Sequence, residues 1–265
     1  MLLQISHTTE YNYDQPVDYA LQQVRLTPQV LDCQKTLDWK ITVKGGMIEA
    51  SYIDHHGNTV HLINVDAGGQ SITITAAGSV ETTDTAGIIP LPKSGPPLWY
   101  FSQQTPLTAA GDAITELAAE SESHENILNR LHALSRMIAE RVRYGKDGTY
   151  VVTTAEEAMQ GGTGVCQDHA HIFIAAARAG GIPARYVSGY LMLNGQIDQE
   201  ASHAWAEAYV EGLGWVGFDV SNAQSPDERY VRLAVGRDYH DAAPFSGMRV
   251  GSAAETMIVN LQVQQ

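Results

Sequence analysis

Sulfur is scarce in this chain of 265 residues: Cys33 and Cys166 are its only cysteines, and they lie far apart in unlike surroundings. A disulfide framework is therefore not expected, and a reducing, cytoplasmic setting is. Long apolar runs are missing as well. None approaches the roughly 18 residues needed to span a bilayer, and no basic residue precedes Arg25, so the start lacks the charge of a secretory signal. Positive charge is also thin, with 16 Lys and Arg against 30 Asp and Glu, a net charge of -14 at pH 7. A surface of that sign repels nucleic-acid phosphates and anionic membranes, so neither is an expected partner. The excess negative charge serves solubility, or draws in a cationic substrate or an amine. No internal repeat or low-complexity tract occurs.

What is present is enough apolar material, 44% of residues, for one large core or two modest ones. From Leu3 to about Thr83 the pattern is strand-like. Leu3, Ile5, His7, Thr9, Tyr11 and Tyr13 alternate, and "KTLDWKITV" and "QSITITAAGSVET" carry β-branched residues between turn signals such as "HHGN" and "AGGQ". Pro90, Pro92, Pro96, Pro97 and Pro106 then mark an extended crossing that excludes a regular helix. The expected division is a β-rich unit over residues 1–95 and a second unit over 96–265. In the second unit Ile127, Leu128, Leu131, Leu134, Met137, Ile138 and Val142 recur at helical spacing, with Ser123 as the expected N-cap and Glu125 in the first turn. Thr154 and Glu157 fit a capping box for a short helix that Gly161 and Gly162 would stop. Beyond residue 183, "ARYVSGYLML", "HAWAEAYV" and "GWVGFDV" read as strands. Helices preceding strands make an α+β arrangement.

Between these elements lies "GGTGVCQDHAHIFIAAARAGG", residues 161–181. Its glycines permit close backbone approach, and Cys166 opens the buried helix expected from about Cys166 to Ala179. The unpaired N–H groups of a first turn stabilise negative charge on sulfur and can hold an oxyanion. Position alone leaves open a packing cysteine and a nucleophile. A nucleophile needs a base, and the base an orienting group. His203 begins "HAWAEAYV" and Asp219 lies in "GWVGFDV". A hairpin turning at residue 211 would set them opposite one another on one face, with Ala204, Ala206 and Ala208 on the other face for close helix packing. The three residues together, on a helix start and two adjoining strands, point to nucleophilic catalysis.

"TTAEEAMQGGTGVCQDHAHIFIAAARAGGIPARYVSGYL", "SHAWAEAYVEGLGWVGFDVSN" and "VGRDYHDAAPFSG", with the β-rich residues before them, resemble the transglutaminase-like superfamily, and in particular its bacterial members of cysteine-protease type. The resemblance covers nearly the whole chain. It implies an N-terminal antiparallel β domain followed by a papain- or transglutaminase-like core, the Cys on a helix N-terminus and the His and Asp on adjacent antiparallel strands. Carried over residue by residue, it makes Cys166 the nucleophile, His203 the base and Asp219 the orienting acid. Val220, Ser221 and Asn222 stand where such proteins commonly carry Pro-Thr after the aspartate.

The implied reaction is attack of sulfur on a peptide, isopeptide or glutamine-type amide, leaving a thioester. Water resolves it as hydrolysis, the expected course, and a primary amine as an isopeptide crosslink. A third possibility is a non-enzymatic peptide-binding scaffold on an inherited fold. The expected partner is thus a peptide or protein amide, with no cofactor. A metal is not expected either: along a helix His169 lies about 60° from Cys166 but His171 about 140°, so the three cannot converge. Asp168 is expected to cap or brace the helix start and His169 to line the site. Trp205 and Glu207 share the His203 face and Trp215 that of Asp219, as packing that keeps water out. Arg237 is a candidate for a substrate carboxylate or for an ion pair with Asp238 or another acid. His55, His56 and His61 read as surface residues, and Cys33 as packing.

Overall fold

Alternation in the first strand has the expected consequence. In the computed structural model, which describes residues 1–92, 94–123, 126–146, 148–193, 195–199, 201–250 and 254–265, β1 (Leu2–Val17) buries Leu3, Ile5, His7, Thr9, Tyr11 and Tyr13 along one face. It is followed by β2 (Tyr19–Val24), β3 (Gln34–Lys44), β4 (Gly46–Ile53), β5 (Thr59–Val65) and β6 (Gly69–Thr82). β6 pairs with β1 on one side and β3 on the other, while β2, β5 and β4 form part of a second sheet. The proline-marked crossing is only partly extended: Ile88–Ile89 (β7) adds an edge to a later sheet, whereas Leu98–Ser102, just after Pro97, and Pro106–Thr108 coil into short 3-10 helices.

The helical unit opens with a helix that periodicity did not signal, α1 (Asp112–Ser121). Next is α2 (Ile127–Arg141), which starts three residues later than expected: its N-cap is Asn126, whose side chain accepts from Leu128 N and Asn129 N, not Ser123. Glu125 lies outside the described residues. Short β8 (Arg143–Tyr144) leads to α3 (Ala155–Gly161), where the Thr154–Glu157 capping box forms as read and Gly162 ends the helix at φ 64°. After β9 (Thr163–Gly164), parallel to β8, comes α4 (Cys166–Ala179), fully within the core from Asp168 to Arg178.

The remaining elements are β10 (Ala184–Leu191), β11 (Asp198–Gln199), β12 (His203–Val210), β13 (Gly214–Phe218), β14 (Tyr230–Gly236), α5 (Tyr239–Ala242), β15 (Phe245–Val250) and β16 (Glu255–Gln264). One sheet runs β14-β10-β12-β13-β7. Its Ala204, Ala206 and Ala208 share a core with Ala170, Phe173 and Ile174 of α4, so small side chains admit the helix as expected. Each large side chain wholly withdrawn there, such as Phe173 or Ile174, contributes about 1.5–3 kcal/mol. Arg178 fastens the far end of α4, donating to the carbonyls of Phe101, Ala184 and Arg237 and to Thr108 Oγ1.

The division at 95/96 does not anticipate the last strands. β16 pairs antiparallel with β1, with Gln4 opposite Gln264, and β15 pairs with β2, so both close the N-terminal sheets. β11 extends the β16 edge, giving the order β11-β16-β1-β6-β3. Leu261 and Val263 are buried among Leu3, Ile5 and Val80, and this apolar match pins the register. Among the described residues, no helix is long and apolar enough to cross a membrane.

Candidate active site

Cys166 occupies the first position of α4. The earliest helical bond is His169 N to Val165 O, so the N–H groups of Cys166, Gln167 and Asp168 have no carbonyl behind them. Asp168 braces this turn as expected: its Oδ2 accepts from Val165 N at 2.8 Å, and Thr149 also bonds it. Burial raises the Asp168 pKa, against the pull of those two bonds. Gly164 is required here, because a Cβ on it would lie 2.7 Å from Asp168 Cβ.

His203 starts β12 and Asp219 follows the last residue of β13. The hairpin register pairs Ala206 with Phe218 and Val210 with Gly214, so the turn is centred on residue 212, one position beyond the expected 211. The shift moves the pairing by two and leaves the parity intact, so the two side chains meet diagonally on one face instead of directly opposite. His203 Nε2 lies 2.6 Å from Asp219 Oδ2, and the same ring is hydrogen-bonded to Cys166. With Nε2 committed to the carboxylate, Nδ1 is the nitrogen left for the sulfur. Burial works against charging His203, yet the bonds to Asp219 and Cys166 and the negative charge each can carry outweigh it and raise the pKa to about 10. For Asp219 burial likewise opposes ionisation, and His203, Tyr230 and Asn222 together still pull its pKa down.

Two of those partners carry no spacing signal in the sequence. Tyr230, from β14, donates its hydroxyl to Asp219 Oδ2 at 2.7 Å and accepts from Gln224 Nε2 at 2.6 Å. Asn222 donates to the same Oδ2 at 2.7 Å. The Val220-Ser221-Asn222 departure thus has local work: a turn closed by Asp219 N to Gln224 O, at 2.9 Å, with Ala223 held at φ 52°, presents Asn222 to the carboxylate.

Other expectations need correction. His169 does not line the cleft. It is buried, its Nε2 donating to Val142 O at 3.0 Å and its Nδ1 accepting from Ser221 Oγ at 2.9 Å, so it ties α4 to the end of α2 and to the turn after Asp219. Burial lowers its pKa. Trp205 packs behind His203, ring centroids 6.3 Å apart, and against Tyr230 at 5.4 Å, which is the shielding expected of it. Glu207 is not simple packing: it is buried between Arg185, 2.7 Å from Nε, and Arg232. Arg237 pairs with Asp241, Nε to Oδ2 2.9 Å, and lies over the Tyr100 ring, away from the cleft lining. His56 is buried beside Tyr100 and Phe101 rather than on the surface. His171 is also buried and accepts from Tyr239 N at 3.1 Å. Among the described residues no cluster of His, Cys, Asp and Glu could hold a metal.

The chemical groups border a cleft of about 660 Å³ that Cys166, His203 and Asn222 share with Tyr144, Tyr186, Tyr239 and the hydrophilic Gln167, Ser188, Gln196, Gln199 and Ser202. That size suits a small ligand or a few residues of polypeptide.

Fold and cleft together define a two-part protein with a cysteine-bearing helix packed on an antiparallel sheet. Residues 115–220 match the pattern described as the transglutaminase-like superfamily, and residues 3–81 the bacterial transglutaminase-like N-terminal region. The chain belongs to the transglutaminase-like superfamily, with the bacterial N-terminal region preceding the core. A crystal structure from Cytophaga hutchinsonii named "Putative Cysteine Protease" superposes with a TM-score of 0.79 at 26% identity, over 100% of this chain and 91% of that one. An uncharacterized protein of Mycobacterium leprae is 28% identical over 281 residues, 98% of each chain. One from Mycobacterium tuberculosis is 28% identical over 287 residues, 98% of this chain and 90% of its own.

Proposed function

We propose that this chain is a cysteine-dependent acyl-transfer enzyme that hydrolyses peptide, isopeptide or glutamine-type amide bonds, with Cys166 as nucleophile, His203 as proton carrier and Asp219 as its orienting acid. The observation that carries the reading is the His203 ring held between Asp219, at 2.6 Å, and the sulfur of Cys166. An imidazole whose pKa stands near 10 already holds its proton at neutral pH, and so can stabilise negative charge on the sulfur and protonate a leaving nitrogen. Sulfur then attacks the amide carbonyl carbon, and the developing oxyanion faces the free N–H groups of the first turn of α4. The imidazolium gives its proton to the leaving nitrogen as the C–N bond breaks, leaving a thioester and a free amine. Water adds to the thioester, the neutral imidazole takes its proton, and collapse releases the carboxylic acid and restores the thiolate.

Hydrolysis is the simpler course, since water needs no binding site of its own, whereas amine transfer requires that water be kept from the thioester. The two free cysteines, Cys33 and Cys166, agree with a reducing, cytoplasmic setting. A peptide-library digest with and without a primary amine, read by mass spectrometry, tests the reaction. Cleaved or deamidated products that vanish in Cys166→Ala are expected. Amine adducts alone would reassign the chain to crosslinking, and no product with a slow, ordinary thiol at Cys166 would remove the enzymatic reading.

A further inference from the structure

Beside the cleft, Tyr150, Val151 and Val152 are 79%, 52% and 69% exposed. Scattered apolar residues are normal on a surface, but three in succession, bonded to a residue that borders the cleft, mark a contact surface. The turn that carries them is closely fastened. Tyr150 N donates to Thr153 Oγ1 at 2.8 Å and Thr153 N to Tyr150 O at 2.9 Å. Val151 O accepts from Gln167 Nε2 at 3.0 Å, and Thr149 bonds Asp168, so the turn is joined to the two residues that follow Cys166. Gln167 itself borders the cleft. On the other flank of the turn, Tyr150 and Val152 border a depression of about 500 Å³ in which Glu157 is the charged lining residue among the described residues. Glu157 holds Thr154 N and Oγ1 through Oε2, which favours its ionised form. The whole chain adds a net charge of -14.

We propose that this turn and depression form a recognition subsite for a cationic polypeptide segment. A large apolar side chain of the substrate packs on Tyr150 and Val152, a Lys or Arg nearby faces Glu157, and the reactive carboxamide reaches Cys166 past Gln167. The assignment rests on the acyl-transfer reading for its chemistry, but recognition is measurable without turnover. Burial of the apolar side chain supplies non-directional affinity, and Glu157 with the surrounding negative field supplies selection by charge.

The experiment uses the full chain carrying Cys166→Ala and fluorescein-labelled hexapeptides that differ only in Leu or Ser beside a central Gln and in Lys or Glu two positions further on. The Leu and Lys peptide should bind at least tenfold more tightly than the Ser and Glu peptide. Tyr150→Ser with Val152→Ser should abolish the Leu preference, and Glu157→Gln, which keeps the cap on Thr154, the Lys preference. Equal binding of all peptides, no binding, or preferences that survive both variants would overturn the subsite. In the chain that retains Cys166, alkylation by iodoacetamide, too small to use the subsite, should proceed at the parent rate in both variants. Slow alkylation of the parent itself would count against the acyl-transfer reading while leaving the binding result in place.

Discussion

His203 and His171 belong to the same core unit, His203 partly withdrawn from water at the foot of the sheet and His171 buried inside α4, yet they are driven in opposite directions. His203 rises to about 10 and His171 falls to about 3. Withdrawal from water opposes the charged form of both. The difference lies in the neighbours: His203 faces Asp219 and Cys166, whereas His171 meets Tyr239 N and the Tyr186 ring, with Arg178 and His240 adding positive charge nearby. A histidine therefore becomes a charge carrier here through the acids around it and an inert packing group where they are missing.

The largest effect expected from breaking this contrast is at His203. His203→Ala should lower turnover by about 10³-fold or more, and should slow alkylation of Cys166, which loses its imidazole partner. Asp219→Asn should cost about 10²–10⁴ in turnover and bring the His203 midpoint, read by ¹⁵N imidazole shifts, down from its value near 10. A midpoint unmoved by that change would show that Asp219 does not set the contrast.

The interior side of the comparison is read from stability. A histidine with a lowered folded pKa disfavours the native state as pH drops below 6.5, and His7, His56 and His171 all fall in this class, at about 4, 4 and 3, with burial the first cause. Each should cost up to about 1.4 kcal/mol per pH unit between 6 and 4. His203 has the opposite sign: its contribution is complete below 6.5 and is lost as pH climbs towards 10. Urea unfolding from pH 7 to 4 should therefore steepen on the acid side, and His171→Gln should remove about a third of that slope. The smallest expected effect is that of Tyr230→Phe. Losing one donor makes Asp219 a stronger partner for the imidazolium, so the His203 midpoint should rise by a few tenths of a unit and turnover change by about two- to fivefold.

How far this contrast could be read in advance depends on the range of each interaction. The helix at Cys166, the Thr154 capping box and the alanine face of β12 are local patterns, and they formed where expected. His203 and Asp219 were legible because strand parity survives a two-residue change of pairing. Tyr230 lies on a strand three places from β13 in the sheet, and no spacing rule links it to Asp219. Arg185 and Arg232 do signal something, since a charge inside an apolar strand must be paired, but Glu207 as the shared partner emerges only from the strand order β14-β10-β12. His169 and His56 failed for the same reason: exposure is decided by what packs over a residue, and that element can lie anywhere in the chain.

The pairing of β16 with β1 has a consequence for how the molecule is made. β1 leaves the ribosome long before β16, its permanent neighbour on one side. Until β16 emerges that edge is open to any other strand, so nascent chains and fragments lacking β16 should be clients of chaperones, and prone to aggregate when these are scarce.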